Sequence, residues 1–480
     1  MIRSASLGLA LASLALNAVA ASLPQQNDPY FRRSEQRLEA ARQAPPIGRR
    51  ARNVILFIGD GMGPSTVTAA RILAGQSADR DGVSTELAFE SFPNVALSKT
   101  YSHDEQVTDS AAGATGLMAG VKTRSGVVGL DSRVLRGRCD GSHGAEVLSI
   151  AEVAKMAGLS TGVVTTTSLT DATPAAAYGH VADRDWEDDA SMPSAATAAG
   201  CVDLARQLIE AAADRRLDVA LGGGRARFTP VDVGGDRRDG RNLLERWRAD
   251  RPRSRVARTA EDLNSADHAP TDHLLGVFAP NHLSFHQKAP TQQPSLAQMT
   301  TAALEILARN PKGYFLMVEG GLIDKASHLD NAARALDETV QFSKAIEAAL
   351  SGVNLNDTLV IVTADHSHGL VLSGGASRDA PILGLAQVDG QAVLDAAGRP
   401  YTILSFASGP SALDPHAAVS QAEALQPEFR QPALVPMRSA EHGGEDVAVY
   451  AAGPGSDLVR GVVEQPYVFQ VILAALGLAP

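Results

Sequence analysis

The chain has 480 residues, of which 44% are hydrophobic and 20% charged, and carries a formal net charge of −11. That composition argues against a disordered chain, and the acidic balance disfavours nonspecific binding to nucleic acid or a membrane surface, which wants a basic face. The length suffices for a large core and for a large α/β sheet as one unit.

The first 22 residues, MIRSASLGLALASLALNAVAAS, begin with Arg3, continue as an apolar run and reach Ala18-Val19-Ala20. This pattern predicts a Sec-type signal peptide over residues 1–20 and export to a periplasm or beyond the cell. The run is too short and too rich in small residues for a membrane span. Residues 21–52 are polar, rich in Arg and Gln, and read as an N-terminal arm. Export permits a disulfide. Cys139 and Cys201 are the two cysteines, open to one bridge or to two buried thiols.

From residue 53 strands and helices alternate. "NVILFIG" (53–59) is a continuous apolar run, as expected of a strand buried on both faces. "STGVVTTT" (160–167), "LDVALGGG" (217–224), "GYFLMVEGG" (313–321) and "TLVIVTADH" (358–366) repeat it. "GAEVLSIAEVAKMAG" (144–158) and "SLAQMTTAALEILARN" (295–310) read as helices between them. The alternation predicts an α/β fold with a large, mostly parallel central sheet covered by helices on both faces. Residues 372–438 differ: they are rich in Gly, Pro, Ser and Gln, with strand-like pieces such as "PYTILSFA", and read as an insertion. The terminal "VFQVILAALGLAP" is too short to span a membrane and lacks the spacer and tail of a lipid-anchor signal, so no membrane anchor is expected.

Three of the apolar runs end in acids. "VILFIGDG" reaches Asp60, "YFLMVEGG" reaches Glu319 with Asp324 shortly after, and "LVIVTADHSHG" reaches Asp365, His366 and His368. Ligands in open α/β sheets bind beyond the carboxyl ends of the strands, so these residues should converge. Any one such acid is ordinarily a cap or turn former; three ends with histidines attached are hard to explain by capping. Asp324 and His328 are spaced i, i+4, which would put both on one side of a helix over that segment. "EHGGED" adds His442. Mixed Asp/His ligands suit zinc, and all-oxygen sets suit magnesium. The rest of the 12 histidines are expected to be ordinary imidazoles.

"QVTDSAAGATG" (106–116) places Asp109 and Ser110 before a run of small residues. At a helix start Ser110 would lie near free N–H groups and the positive end of the helix dipole, where a phosphate sits well. The small residues would let that helix approach the sheet. A serine hydroxyl needs a base or a metal to become a nucleophile. Without metals nearby, Ser110 or Asp109 would be a helix cap and nothing more.

The sequence resembles the alkaline phosphatases from Asn53 to the C-terminus. The stretches that carry the resemblance are "GDGMG", "FPNVALSKTY", "VTDSAAGAT", "TDATPAAAYGHVADR", "LGGGR", "FLMVEGGLIDKASH", "VTADHSH" and "EHGGEDVAVYAAGP". The resemblance implies a metal-dependent phosphomonoesterase with two zinc ions and one magnesium. By the same resemblance Ser110 is the phosphorylated nucleophile, Arg184 clamps the phosphate, and Asp109 orients Arg184. Asp324, His328 and His442 match the ligands of one zinc. Asp60, Asp365 and His366, with Ser110, match those of the other. Asp60, Thr173 and Glu319 match the magnesium ligands, and His368 matches a residue supporting a zinc ligand. Cys139 and Cys201 match a bridged pair of the animal members. The 372–438 insertion resembles the family's crown region, which implies a homodimer.

Asp171 and Lys325 beside the magnesium ligands follow the bacterial pattern, whereas the body of the chain looks like the animal branch. The animal branch also holds calcium. The stretch that matches that site reads "GVFAPNH", with Ala279 where an acid is expected, so calcium is not expected here. The resemblance leaves rivals in the same superfamily. A sulfatase needs a Cys or Ser in a C/S-x-P-x-R context, and Ala111-Ala112-Gly113 follow Ser110 instead. A phosphodiesterase would not be expected to carry Arg184, and export argues against a phosphosugar mutase. A non-catalytic phosphate- or metal-binding protein should have lost the nucleophile or a zinc ligand, and none is lost.

Overall fold

The apolar runs become the centre of one sheet. In the computed structural model, residues 50–264, 271–411 and 419–478 are described. Strands β1 (Asn53–Ile58), β2 (Asn94–Lys99), β3 (Ser160–Ser168), β4 (Val219–Gly223), β5 (Ser254–Ala257), β6 (His273–Val277), β7 (Tyr314–Glu319) and β8 (Thr358–Thr363) are the first eight in chain order. With Val447–Ala452 and Gly461–Glu464 they form a 10-stranded sheet. Its order runs Gly461–Glu464, β2, Val447–Ala452, β8, β1, β7, β3, β4, β6, β5. Val447–Ala452 pairs antiparallel with β2 and β8. Every other pairing in the sheet is parallel.

A parallel strand at the middle of such a sheet is covered on both faces, which is why β1 is apolar throughout. Val54, Leu56 and Ile58 join one core, together with the helices Ser110–Ala119, Ile150–Met156 and Tyr467–Leu476. Ile55 and Phe57 join the other, with the helices Pro64–Gln76, Leu296–Leu307 and Ala332–Gly352. Each fully buried side chain of this kind contributes roughly 1.5–3 kcal/mol. The strand ends that carry the acids are thus anchored in strands buried on both faces.

One expected helix is shorter than its sequence suggests. Over 144–158 only Ile150–Met156 is helical. Ser149 accepts the Glu152 N–H and the Glu152 carboxylate accepts the Ser149 N–H, a capping box that starts the helix there. Upstream, Glu146 is drawn into a bridge with Leu130. Within 372–438, "PYTILSFA" contributes Leu404–Gly409, the middle strand of a small sheet with Leu370–Leu372 and Ala433–Pro436. Cys139 and Cys201 form a disulfide. Among the described residues no helix is long and apolar enough to cross a membrane. The signal peptide over 1–20 and nearly all of the 21–52 arm lie outside the described residues; of the last three, Ala51 is buried and donates its N–H to Ala475 O.

Candidate active site

The site is built where β1, β3, β7 and β8 end. Asp60 follows β1, Glu319 closes β7, and Asp365 and His366 follow β8. Asp171 caps the short helix Ala172–Ala175 beyond β3, which carries Thr173. The helix Leu322–Ser327 carries Asp324 and ends at His328, so the i, i+4 pair shares one side. His442 arrives from the far end of the chain in a two-stranded ladder with His368.

Two clusters of carboxylates and imidazoles result. His328 Nε2 is 3.3 Å from Asp324 Oδ2 and His442 Nε2 is 3.5 Å from Asp324 Oδ1. In the second cluster His366 Nε2 is 3.3 Å from Asp60 Oδ1, 3.5 Å from Asp365 Oδ2 and 3.1 Å from Ser110 Oγ. Three rings are turned by backbone carbonyls. His328 Nδ1 faces Ala440 O at 2.6 Å, His366 Nδ1 faces Ser367 O at 3.0 Å, and His442 Nδ1 faces Thr108 O at 2.9 Å. A carbonyl demands a proton on Nδ1, which leaves each Nε2 as a bare lone pair aimed inward. His368 is the opposite case. Its Nδ1 accepts the Gly369 N–H at 3.1 Å, so its proton sits on Nε2, 3.5 Å from Asp324 Oδ1. In that tautomer it faces the carboxylate with a proton and not with a lone pair.

The donor set fits metal ions. The Nε2 atoms of His328 and His442 lie 3.3 Å apart, and two lone pairs so close repel unless a proton or cation lies between them. Both oxygens of Asp324, and Oε1 of Glu319, are buried with no hydrogen-bond partner. Burial, reinforced by Asp324, pushes the Asp365 carboxyl up to about 7. Burial, reinforced by Asp171, pushes Glu319 up to about 8, and burial with Asp324 and Asp365 pushes Asp60 well up. Burial alone would also raise Asp324, but His328, when its ring is protonated, and Lys325 outweigh it and hold it well below the carboxylate range. Acids that resist ionising until a cation arrives are what a buried metal site supplies. Asp324, His328, His368 and His442, and likewise Asp60, Asp324 and His366, bring ligand atoms within 4.8 Å of one another.

Ser110 is the first residue of the helix Ser110–Ala119, and Asp109 is its N-cap, accepting the Ala112 N–H. Asp109 does more than cap: its Oδ2 holds Arg184 Nη1 at 3.1 Å. Arg184 Nη2 is held at 3.0 Å by Asp171 Oδ1, and Asp171 Oδ2 holds Lys325 Nζ at 3.2 Å. Burial opposes the charge on Asp171, yet Lys325 and Arg184 outweigh it and keep it ionised. Two cations thus share one carboxylate, and one of them, Arg184, also pairs with Asp109, the residue before the serine.

Some members of the site have no signature in the sequence. Thr165 and Thr167 both donate to Glu319 Oε2, the latter at 3.0 Å. The pairing of β3 with β7 places Thr165 opposite Glu319. The hint was the run of hydroxyls in "VVTTTS", which reads simply as strand. Gln465 donates to Asp365 O at 2.6 Å. In the stretch weighed for calcium, Ala279 O accepts the Arg225 N–H at 2.9 Å.

Fold and site together define an α/β protein that gathers a buried serine at a helix start, a pair of cations on one carboxylate and a cluster of acids and imidazoles able to hold metal at the ends of its central strands. A family model for alkaline phosphatase matches residues 51–478. The tissue-nonspecific alkaline phosphatase isozyme of Felis catus is 41% identical over 472 residues, covering 94% of this chain and 89% of the relative. The Homo sapiens isozyme is 42% identical over 443 residues, 88% of this chain and 83% of the relative. The crystal structure of Thermus thermophilus alkaline phosphatase superposes with a TM-score of 0.65 at 26% identity, covering 92% of this chain and 94% of that one. The chain belongs to the alkaline phosphatase family and is a phosphoric monoester hydrolase.

Proposed function

We propose that the protein hydrolyses phosphomonoesters through a phosphoserine at Ser110, releasing an alcohol and inorganic phosphate. The observation that carries this is the placing of Ser110 Oγ, 3.1 Å from the bare Nε2 of His366, at a helix N-terminus beside the Asp109–Arg184 pair. Arg184, held by Asp109 and Asp171, presents its guanidinium to two phosphate oxygens. The N–H groups of the first helical turn face the same anion. Ser110 Oγ attacks phosphorus and the alcohol departs; a water then attacks the phosphoserine and restores the hydroxyl.

The ligand sets support two zinc ions and one magnesium. Asp324, His328 and His442 would hold one zinc, and Asp60, Asp365 and His366 with Ser110 the other. Both sets mix nitrogen and oxygen. Asp60, Thr173 and Glu319 offer oxygen alone, which suits magnesium. When bound, these ions lower the pKa of the serine hydroxyl and offset charge on the attacking and leaving oxygens. His368 would keep Asp324 in place, and Lys325 with Asp171 would set the charge beside the phosphate. No calcium is assigned, since Ala279 brings no carboxylate. The Cys139–Cys201 disulfide supports export to an oxidising compartment. The homodimer rests on the crown-like insertion, whose Leu434, Val435 and Met437 are exposed apolar side chains.

The test is to trap the intermediate. Metal-loaded protein is incubated with radiolabelled inorganic phosphate at mildly acid pH and quenched in acid. Label should remain on a peptide containing Ser110 and be absent from Ser110→Ala. Label on another residue would move the nucleophile elsewhere.

A further inference from the structure

A third side chain reaches the carboxylate that carries both cations. His282 Nδ1 lies 3.8 Å from Asp171 Oδ2, the oxygen bound to Lys325. The same Nδ1 accepts the Ser168 N–H at 3.0 Å. That amide proton fills the Nδ1 lone pair, so the neutral ring carries its proton on Nε2 and gives Asp171 no hydrogen bond. Burial, with help from Lys325 and against Asp171, keeps His282 below the ordinary imidazole range. The ring is a neutral wall on one side of Asp171 Oδ2, and Lys325 is left as that oxygen's close charged partner.

The segment that carries His282 does not need the ring to dock. Arg225, Ala226 and Gly224 donate their N–H groups to the carbonyls of Ala279, Pro280 and Asn281, and Leu283 donates to Thr166 O. A Cβ on Gly223 would fall 2.0 Å from Asn281 O, so the approach there is backbone to backbone. A backbone pinned on both sides of one imidazole aims that imidazole within narrow limits.

We infer that His282 is a positioning residue of the phosphate site: it fixes Asp171, and through it Lys325 and Arg184, in the pose that meets the phosphate of the monoester. The inference rests on the assignment of Arg184 to the phosphate. His282 acts through Asp171, and losses of this indirect kind run to roughly 10–100-fold where the supported group is a metal ligand. For a ring in van der Waals contact the expected effect is at the low end.

Phosphate binding to the zinc- and magnesium-loaded protein is measured by calorimetry for wild type, His282→Ala, His282→Asn and Arg184→Ala. KM and kcat on p-nitrophenyl phosphate and thermal melts accompany it. His282→Asn keeps an acceptor for the Ser168 N–H. His282→Ala should weaken phosphate binding and raise KM together by roughly tenfold, with kcat changed less, and His282→Asn should recover most of both. A docking role alone would lower the melting temperature and the active fraction at unchanged KM and phosphate affinity. That outcome, with Arg184→Ala weakening both, overturns the inference and leaves the phosphate site standing. Unchanged phosphate binding in Arg184→Ala would overturn the site assignment and the inference with it.

Discussion

Gly113 and Asp365 touch where the helix that begins at Ser110 meets the chain just beyond β8. A Cβ on Gly113 would lie 2.8 Å from Asp365 O and 3.3 Å from Asp365 Cβ. The small residues after Ser110 are therefore a condition of the site. Only a residue without a side chain lets the helix bring Ser110 Oγ to His366. Gly113→Ala should force the two apart. We expect a stability loss of about 1–3 kcal/mol, as for other overpacked cores, and a larger proportional loss of kcat. Full activity in Gly113→Ala would show that the close approach is incidental.

Asp109 joins two functions that can be separated. Its Oδ1 caps the helix at Ala112 N and its Oδ2 holds Arg184. Asp109→Asn keeps a capping oxygen and loses the charge opposite Arg184; Asp109→Ala loses both. Both variants should raise KM, whereas only the alanine should lose about 1 kcal/mol of stability. Equal melting temperatures for the two would contradict the capping role.

Chelation should matter more as pH rises. Without cations, Asp365 and Glu319 have folded-state values of about 7 and about 8, against 3.8 and 4.5 when unperturbed. For acids raised in the folded state, stability is intact below the unperturbed values and is lost as pH climbs through the folded ones. If Asp365 and Glu319 hold the metals as proposed, the loaded protein keeps these carboxylates ionised and paired. The melting-temperature gap between loaded and chelated protein should widen across that window. A gap independent of pH would mean that these carboxylates are not what the metals stabilise.

Glu338 makes a second pH prediction away from the metals. It is buried, accepts the His286 N–H at 2.7 Å, and burial, reinforced by Asp337, pushes it from 4.5 to about 8. Its contribution is complete below 4.5 and lost as pH rises through about 8. A tenfold difference in proton affinity between folded and unfolded chain corresponds to about 1.4 kcal/mol. Glu338→Gln keeps the acceptor and removes the ionisation. It should raise stability at strongly alkaline pH by roughly 1–3 kcal/mol and change nothing at pH near 4. Equal melts at high pH would show that Glu338 ionises there without penalty.

The strand ends were legible because burial on both faces writes itself as an unbroken apolar run, and the acids stand where such runs stop. Asp324 and His328 were legible from their spacing. Thr165 and Thr167 were not, because their meeting with Glu319 depends on the register of β3 against β7, and register is a property of two strands. His282 is silent in the sequence because nothing in "GVFAPNH" says that its backbone is pinned from two sides. By residue type alone His368 and His442 read alike, and only the family resemblance told them apart; the structure adds that the Nδ1 of one faces an amide and that of the other a carbonyl. The helix expected over 144–158 is too long because the apolar pattern outruns the capping box that starts it at Ser149.

The central claim is a metal-dependent monoesterase with Ser110 as nucleophile. It is tested most directly by initial rates of the purified protein on p-nitrophenyl phosphate and on bis-p-nitrophenyl phosphate. Both are run at alkaline pH with zinc and magnesium, beside a chelated sample and Ser110→Ala. The expected result is a large preference for the monoester, lost on chelation and in the variant. A preference for the diester, or a rate indifferent to chelation and to Ser110→Ala, would contradict it.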